Sequence, residues 1–322
     1  MINKLSFTVL LWALLSLTAC QGQSKTNTMT TDPTKTNPLL CEPETGMCEL
    51  PRTEAKDPST PIAQATAKQV KLVYFTDPIC SSCWGIEPQL RKLKLEYGEH
   101  IDIEYVMGGL LPDWSYNSGG ISKPSDVAHH WDEVSAHYDM PIDGDLWLED
   151  PLDSSYPPSI AFKAAQLQDE AKAQLFMREI REMVFLKKKN IAKWEYLAAA
   201  AAEVGLNVEQ LKMDSEGKAK TAFEADLKLS RESGVRGFPT IIALNSAGDK
   251  EIVRGSKPYA YYEMAILKLD PDITKSEYSK DWESLFKKYH TLTAKEYSVL
   301  SGTPRAKIER ANKSGSAQKD DY

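Results

Sequence analysis

The chain has no surplus of basic residues, few cysteines, and no apolar run long enough for a comfortable membrane span. Lys and Arg total 39 against 46 Asp and Glu, giving a formal net charge of -7 and a sequence pI near 5.4. This balance argues against general nucleic-acid binding and against adhesion to anionic lipid. The most apolar stretch, LSFTVLLWALLSLTA after Lys4, is shorter than a membrane span but suits a signal-peptide core. Residues 1–19 are therefore expected to be removed, with an uncleaved anchor as the alternative. There are 5 cysteines in 322 residues. Setting aside Cys20, which closes the apolar stretch, Cys41, Cys48, Cys80 and Cys83 form an even set suited to a compartment where disulfides persist. A hydrophobic content of 42% over this length supports a sizeable core, read as one elaborated domain with tails.

The stretch that organises the chain is VKLVYFTDPICSSCWGIEPQLRKLKLEY, residues 70–97. Val70, Leu72, Val73, Tyr74 and Phe75 form a short β-branched and aromatic run, which predicts an interior strand. Asp77-Pro78 breaks it, and Ile86, Leu90, Leu93 and Tyr97 then recur at helical spacing. Cys80 falls just before that helix, where unpaired backbone N–H groups and the helix dipole favour a thiolate. Cys80 is read as the attacking sulfur and Cys83, one turn on, as the resolving one. A structural disulfide or half of a zinc site are the plainer readings of C-x-x-C.

Far along the chain, GVRGFPTIIAL at 234–244 sets Phe238-Pro239 before a β-rich run; an X-Pro bond adopts cis at modest cost, and such a turn can present a backbone edge. With this proline segment, the C-x-x-C turn and Pro88 in the following helix, residues 70–269 resemble the DsbA-like branch of the thioredoxin superfamily. DPICSSCWGIEPQLRKLKLEYG and DSSYPPSIAFKAAQLQ are similar to FrnE-like oxidoreductases and to the Spx-binding protease adaptors, which are cytoplasmic. The resemblance implies an α/β thioredoxin fold with a helical insertion, and a proline loop, Phe238, Pro239 and Thr240, that faces the cysteine pair and binds substrate. It also marks two departures. Tyr74 stands where the family commonly has a buried acid, with Asp77 nearby as a substitute or as ordinary turn chemistry. Ser81-Ser82 matches neither the strong oxidants nor the general reductants.

Leu17-Thr18-Ala19-Cys20 resembles the lipobox of bacterial lipoproteins, which implies lipidation at Cys20. Residues 20–69 are then expected to be a flexible tether rich in Thr, Asn, Lys and Pro, carrying the Cys41/Cys48 loop. That pair is read as a structural clip or a second redox-active pair, and less readily as part of a zinc site. The DsbA-like domain is expected over 70–270. It includes a second strand at 101–107 ending in Gly108-Gly109, where the backbone can approach a neighbour closely. Trp114 and Tyr116 suit packing or a substrate surface. A helical insertion is expected at about 122–233, with long periodic segments at 125–138, 159–186, 191–204 and 206–233. His129, Glu133 and His137 share one helical side, as a solvated face or a metal face. Residues 271–322 are read as a docked helical extension with two short helices separated at 301–304, then a loose tail.

The expected function is cell-envelope thiol–disulfide exchange on protein thiols or disulfides, reset by an unidentified redox partner. It uses no cofactor beyond the cysteine pair, no metal and no nucleic acid. A thioredoxin-fold adaptor without turnover is the main alternative, and a glutathione-dependent isomerase or transferase a further one.

Overall fold

The computed structural model describes residues 41–42, 47–49, 69–115 and 122–313. Cys20, Tyr116 and the tail after Lys313 lie outside these residues. The first elements are two short strands, β1 (Cys41–Glu42) and β2 (Met47–Glu49). Then come β3 (Val70–Thr76), helices α1 (Ser81–Gly85) and α2 (Glu87–Tyr97), and β4 (Ile101–Met107).

All seven residues of β3 are buried, because β3 is paired on both edges and covered on both faces. It runs parallel to β4, with Phe75 opposite Val106. Its one lysine, Lys71, is tolerated there because its ammonium meets Glu104 at 2.6 Å. Each fully buried large apolar side chain here contributes about 1.5–3 kcal/mol.

A helical block separates β4 from the next strands. It consists of α3 (Pro124–Tyr138), α4 (Leu146–Glu149), α5 (Tyr156–Gln168), α6 (Glu170–Leu186), α7 (Trp194–Glu203), α8 (Val208–Glu216) and α9 (Lys218–Glu232). Two of the expected long segments are broken. At Asp169 the backbone turns extended and the side chain accepts from Lys172 N, which caps α6 and ends α5. At Gly217, φ -127 and ψ -106 lie outside the helical region and separate α8 from α9. On α3, His129 pairs with Glu133 at 3.2 Å on an exposed face, and the His137 ring packs edge-on against Tyr138.

The chain then returns to the sheet through β5 (Gly237–Phe238), β6 (Thr240–Asn245) and β7 (Lys250–Arg254), followed by α10 (Tyr259–Leu269). The main sheet has the order β4-β3-β6-β7, with β6 antiparallel to β3 and Phe75 opposite Thr240. A second sheet has the order β1-β2-β5. The Cys41/Cys48 segment, expected within a flexible tether, is thus a hairpin paired to the strand before Pro239.

Beyond α10 lie α11 (Trp282–Lys288), α12 (Ala294–Ser301) and α13 (Arg305–Lys313), three helices where two were expected. The extension is docked through Glu296, which is fully buried and accepts from Arg178 at 2.8 and 3.0 Å and pairs with Arg91 at 3.2 Å. Burial pushes this carboxyl up, but the two guanidiniums outweigh it and hold it below the usual range.

Candidate redox site

Cys80 and Cys83 form a disulfide with Cα atoms 5.2 Å apart, spanning the first turn of α1. The sulfur of Cys80 caps that helix by accepting the Cys83 N–H at 3.1 Å. On reduction the same donor favours a thiolate at Cys80. Both cysteines and every residue of α1 are buried.

The helix after the pair is broken, not continuous as its periodicity predicts. Ile86, at φ -94 and ψ 0, separates α1 from α2, and Pro88 sits in the first turn of α2. Proline lacks the N–H that would bond Trp84 O and its ring crowds that carbonyl, so one helix cannot run through. The short α1 is pinned by other contacts. Trp84 donates from Nε1 to Pro141 O at 3.0 Å and stacks on Phe185, while Ser82 Oγ and Tyr138 Oη share a 2.9 Å hydrogen bond.

Asp77 carries out the turn chemistry open to it, from a buried position. It is fully buried and accepts Ile79 N at 3.1 Å, which sets the turn, as well as Leu110 N at 2.8 Å and Ser155 Oγ at 2.9 Å. Burial pushes its carboxyl up to about 6, against the lowering effect of these donors. Arg181, also buried, reaches under the same turn. It donates to Thr76 Oγ1 at 2.7 Å and Asp77 O at 3.4 Å and pairs with Glu87 at 2.5 Å. Tyr74 packs edge-on against Tyr105, with ring centroids 5.3 Å apart. In the sequence, Ser155 was marked only by its place in DSSYPPSIAF, and Arg181 by nothing.

The Phe238-Pro239 bond is cis. Since Phe75 pairs with Thr240, the register carries Pro239 to the end of β3, from which the Asp77 turn and Cys80 depart. Phe238, Pro239 and Thr240 are all buried. The Phe238 ring lies over Gly108, Thr240 Oγ1 donates to Gly237 O at 2.8 Å, and Pro239 O accepts Gly255 N. What this segment presents is therefore the backbone edge of β5, and that edge is paired with β2, Cys48 opposite Phe238. Trp114 donates from Nε1 to Leu152 O at 2.8 Å and packs edge-on against Trp147. A cleft of about 880 Å³ lined by Glu87, Arg91, Lys94, Arg178 and Tyr289 includes neither cysteine. Among the described residues no group of three His, Cys, Asp or Glu is placed to hold a metal ion, and no helix is long and apolar enough to cross a membrane.

A four-stranded sheet with this order, a C-x-x-C disulfide at a helix start and a cis-proline at the adjoining strand define a thioredoxin-fold protein. A family model described as thioredoxin matches residues 74–264, and the chain belongs to that family. It is 35% identical to the ClpXP adapter protein SpxH of Halalkalibacterium halodurans over 271 residues, covering 82% of this chain and 87% of the relative. Among solved structures it is similar to a putative protein disulfide isomerase from Nitrosomonas europaea, with TM-score 0.55, 20% identity, and 62% of this chain and 97% of that one covered. The cytosolic disulfide reductase DsbM from Pseudomonas aeruginosa gives TM-score 0.50 and 22% identity, covering 62% of this chain and 98% of that one. At those identities the two structures establish the fold.

Proposed function

We propose that this protein carries out thiol–disulfide exchange on protein thiols or disulfides in the bacterial cell envelope. The observation that carries the reading is the Cys80–Cys83 disulfide with the Cys83 N–H on Cys80 Sγ. Reduced Cys80 attacks a client disulfide, a mixed disulfide forms, and Cys83 resolves it. Direction follows the poise of the external dithiol protein that resets the pair. The envelope assignment rests on Cys20 and the LTAC motif: Cys20→Ala should abolish labelling with radioactive fatty acid, and undiminished label would remove Cys20 as the anchor.

A second reading has a specific basis in the likeness to SpxH, named as an adapter for ClpXP. There the thioredoxin frame would bind a protein without turnover. Incubating the Cys41→Ser/Cys48→Ser/Cys83→Ser variant with insulin separates the two. Exchange predicts a covalent insulin conjugate through Cys80 that reductant releases and Cys80→Ser/Cys83→Ser lacks; an adaptor forms no such conjugate.

A further inference from the structure

We infer that the Cys41/Cys48 hairpin is an internal redox partner of the Cys80–Cys83 centre, seated on the strand edge where an extended client would pair. The inference rests on the exchange reading just given. β2 is antiparallel to β5, with Cys48 opposite Phe238 and Glu49 opposite Gly237. An extended segment paired along β5, in register with the residue before Pro239, is the arrangement a client strand would need for backbone pairing at this site. Here the chain supplies that segment itself. β2 also comes within 8 Å of α1, Cα to Cα, and α1 carries Cys83 and is capped by Cys80.

The second half of the device lies across the hairpin. β1 pairs antiparallel with β2, and Cys41 is directly opposite Cys48. Directly opposed antiparallel residues have Cα atoms about 4.5–5.5 Å apart, inside the ~4.4–6.8 Å span of a disulfide. A structural clip would need only this closure and would serve anywhere on the surface. Placement in register with the residue before Pro239 is what a clip does not require and an exchange partner does.

The step balances within the chain. Starting from the Cys80/Cys83 dithiol and a Cys41–Cys48 disulfide, the Cys80 thiolate attacks Cys48 Sγ. The Cys41–Cys48 bond breaks, Cys41 leaves as a thiolate, and a Cys48–Cys80 bond forms. The Cys83 thiolate then attacks Cys80 Sγ, and Cys48 leaves as a thiolate. Two electrons have passed to the hairpin, the two protons of the site dithiol end on Cys41 and Cys48, and the site holds the Cys80–Cys83 disulfide seen here. The reverse direction uses the same bonds. Cys80 and every residue of α1 are buried and β2 holds the β5 edge, so a client strand pairs with β5 only once the hairpin yields its place there.

The test uses the full-length Cys83→Ser protein, air-oxidised, acid-quenched and mapped by mass spectrometry, with and without insulin at about 10 µM. A tethered partner has an effective concentration of about 1 mM, so internal linkage should exceed insulin linkage by roughly 100-fold. A Cys48–Cys80 bond is expected, independent of protein concentration. Adding Cys48→Ser should move Cys80 onto insulin. If Cys83→Ser forms the insulin conjugate but no Cys48–Cys80 bond, the internal-partner inference is overturned and the exchange reading stands. If Cys80 forms neither bond, in Cys83→Ser or in Cys48→Ser/Cys83→Ser, the exchange reading falls and takes this one with it.

Discussion

The Phe238 ring occupies the space that any side chain at Gly108 would need: a Cβ built on Gly108 falls 1.6 Å from Phe238 Cζ and 2.3 Å from Cε1. Gly108 ends β4's approach to the site, with its N–H on Thr76 O at 2.8 Å, and Phe238 leads into Pro239. The missing side chain at 108 thus fixes how near the proline segment comes to the end of β3. Two adjacent glycines at 108–109 predict a close approach of backbone; what approaches Gly108 is an aromatic ring.

Gly108→Ala should destabilise the protein by about 1–3 kcal/mol, because neither the ring nor the paired backbone can move without breaking other contacts. Urea denaturation would show a lower midpoint. Phe238→Leu in the same background should recover part of the loss, since it shortens the group that clashes. An unaltered midpoint in Gly108→Ala would contradict the packing described.

Asp77 predicts a pH effect with a definite sign. Its folded pKa, about 6, lies above the ordinary 3.8, so between these values the folded state holds the proton more tightly than the unfolded one. Its contribution to stability is greatest below pH ~4 and falls as pH rises through 6. The gap of about two pKa units corresponds to about 3 kcal/mol. Asp77→Asn does not titrate, so its stability relative to wild type should increase by roughly that amount from pH 4 to pH 7.5. Denaturation at the two pH values measures the difference, and parallel curves would show that Asp77 is not the buried carboxyl described.

How much was legible in advance depended on the range of the interactions. The strand at 70–76, the cysteine turn and the proline segment are specified by neighbours in sequence, and each lies where its local pattern puts it. Periodicity alone ran α1 into α2 and α5 into α6, because breaks at Ile86 and Asp169 depend on one proline and one cap, not on the apolar rhythm. Contacts across the chain left no local trace. Arg181 lies 104 residues from Asp77, and Glu296 is 118 residues from Arg178. Cys41 and Cys48 lie among Thr, Pro and Lys residues suited to a tether, and nothing local in them tells of pairing with β5.

The measurement that bears most directly on the account is turnover by the cysteine pair. Wild type and Cys80→Ser should be compared for insulin reduction with dithiothreitol and for oxidation of a reduced dithiol peptide with a glutathione redox buffer. Exchange through Cys80 predicts wild-type rates well above the uncatalysed background in at least one assay, and Cys80→Ser at background in both. Equal rates for the two proteins would contradict the enzyme reading and leave the binding role as the account of this fold.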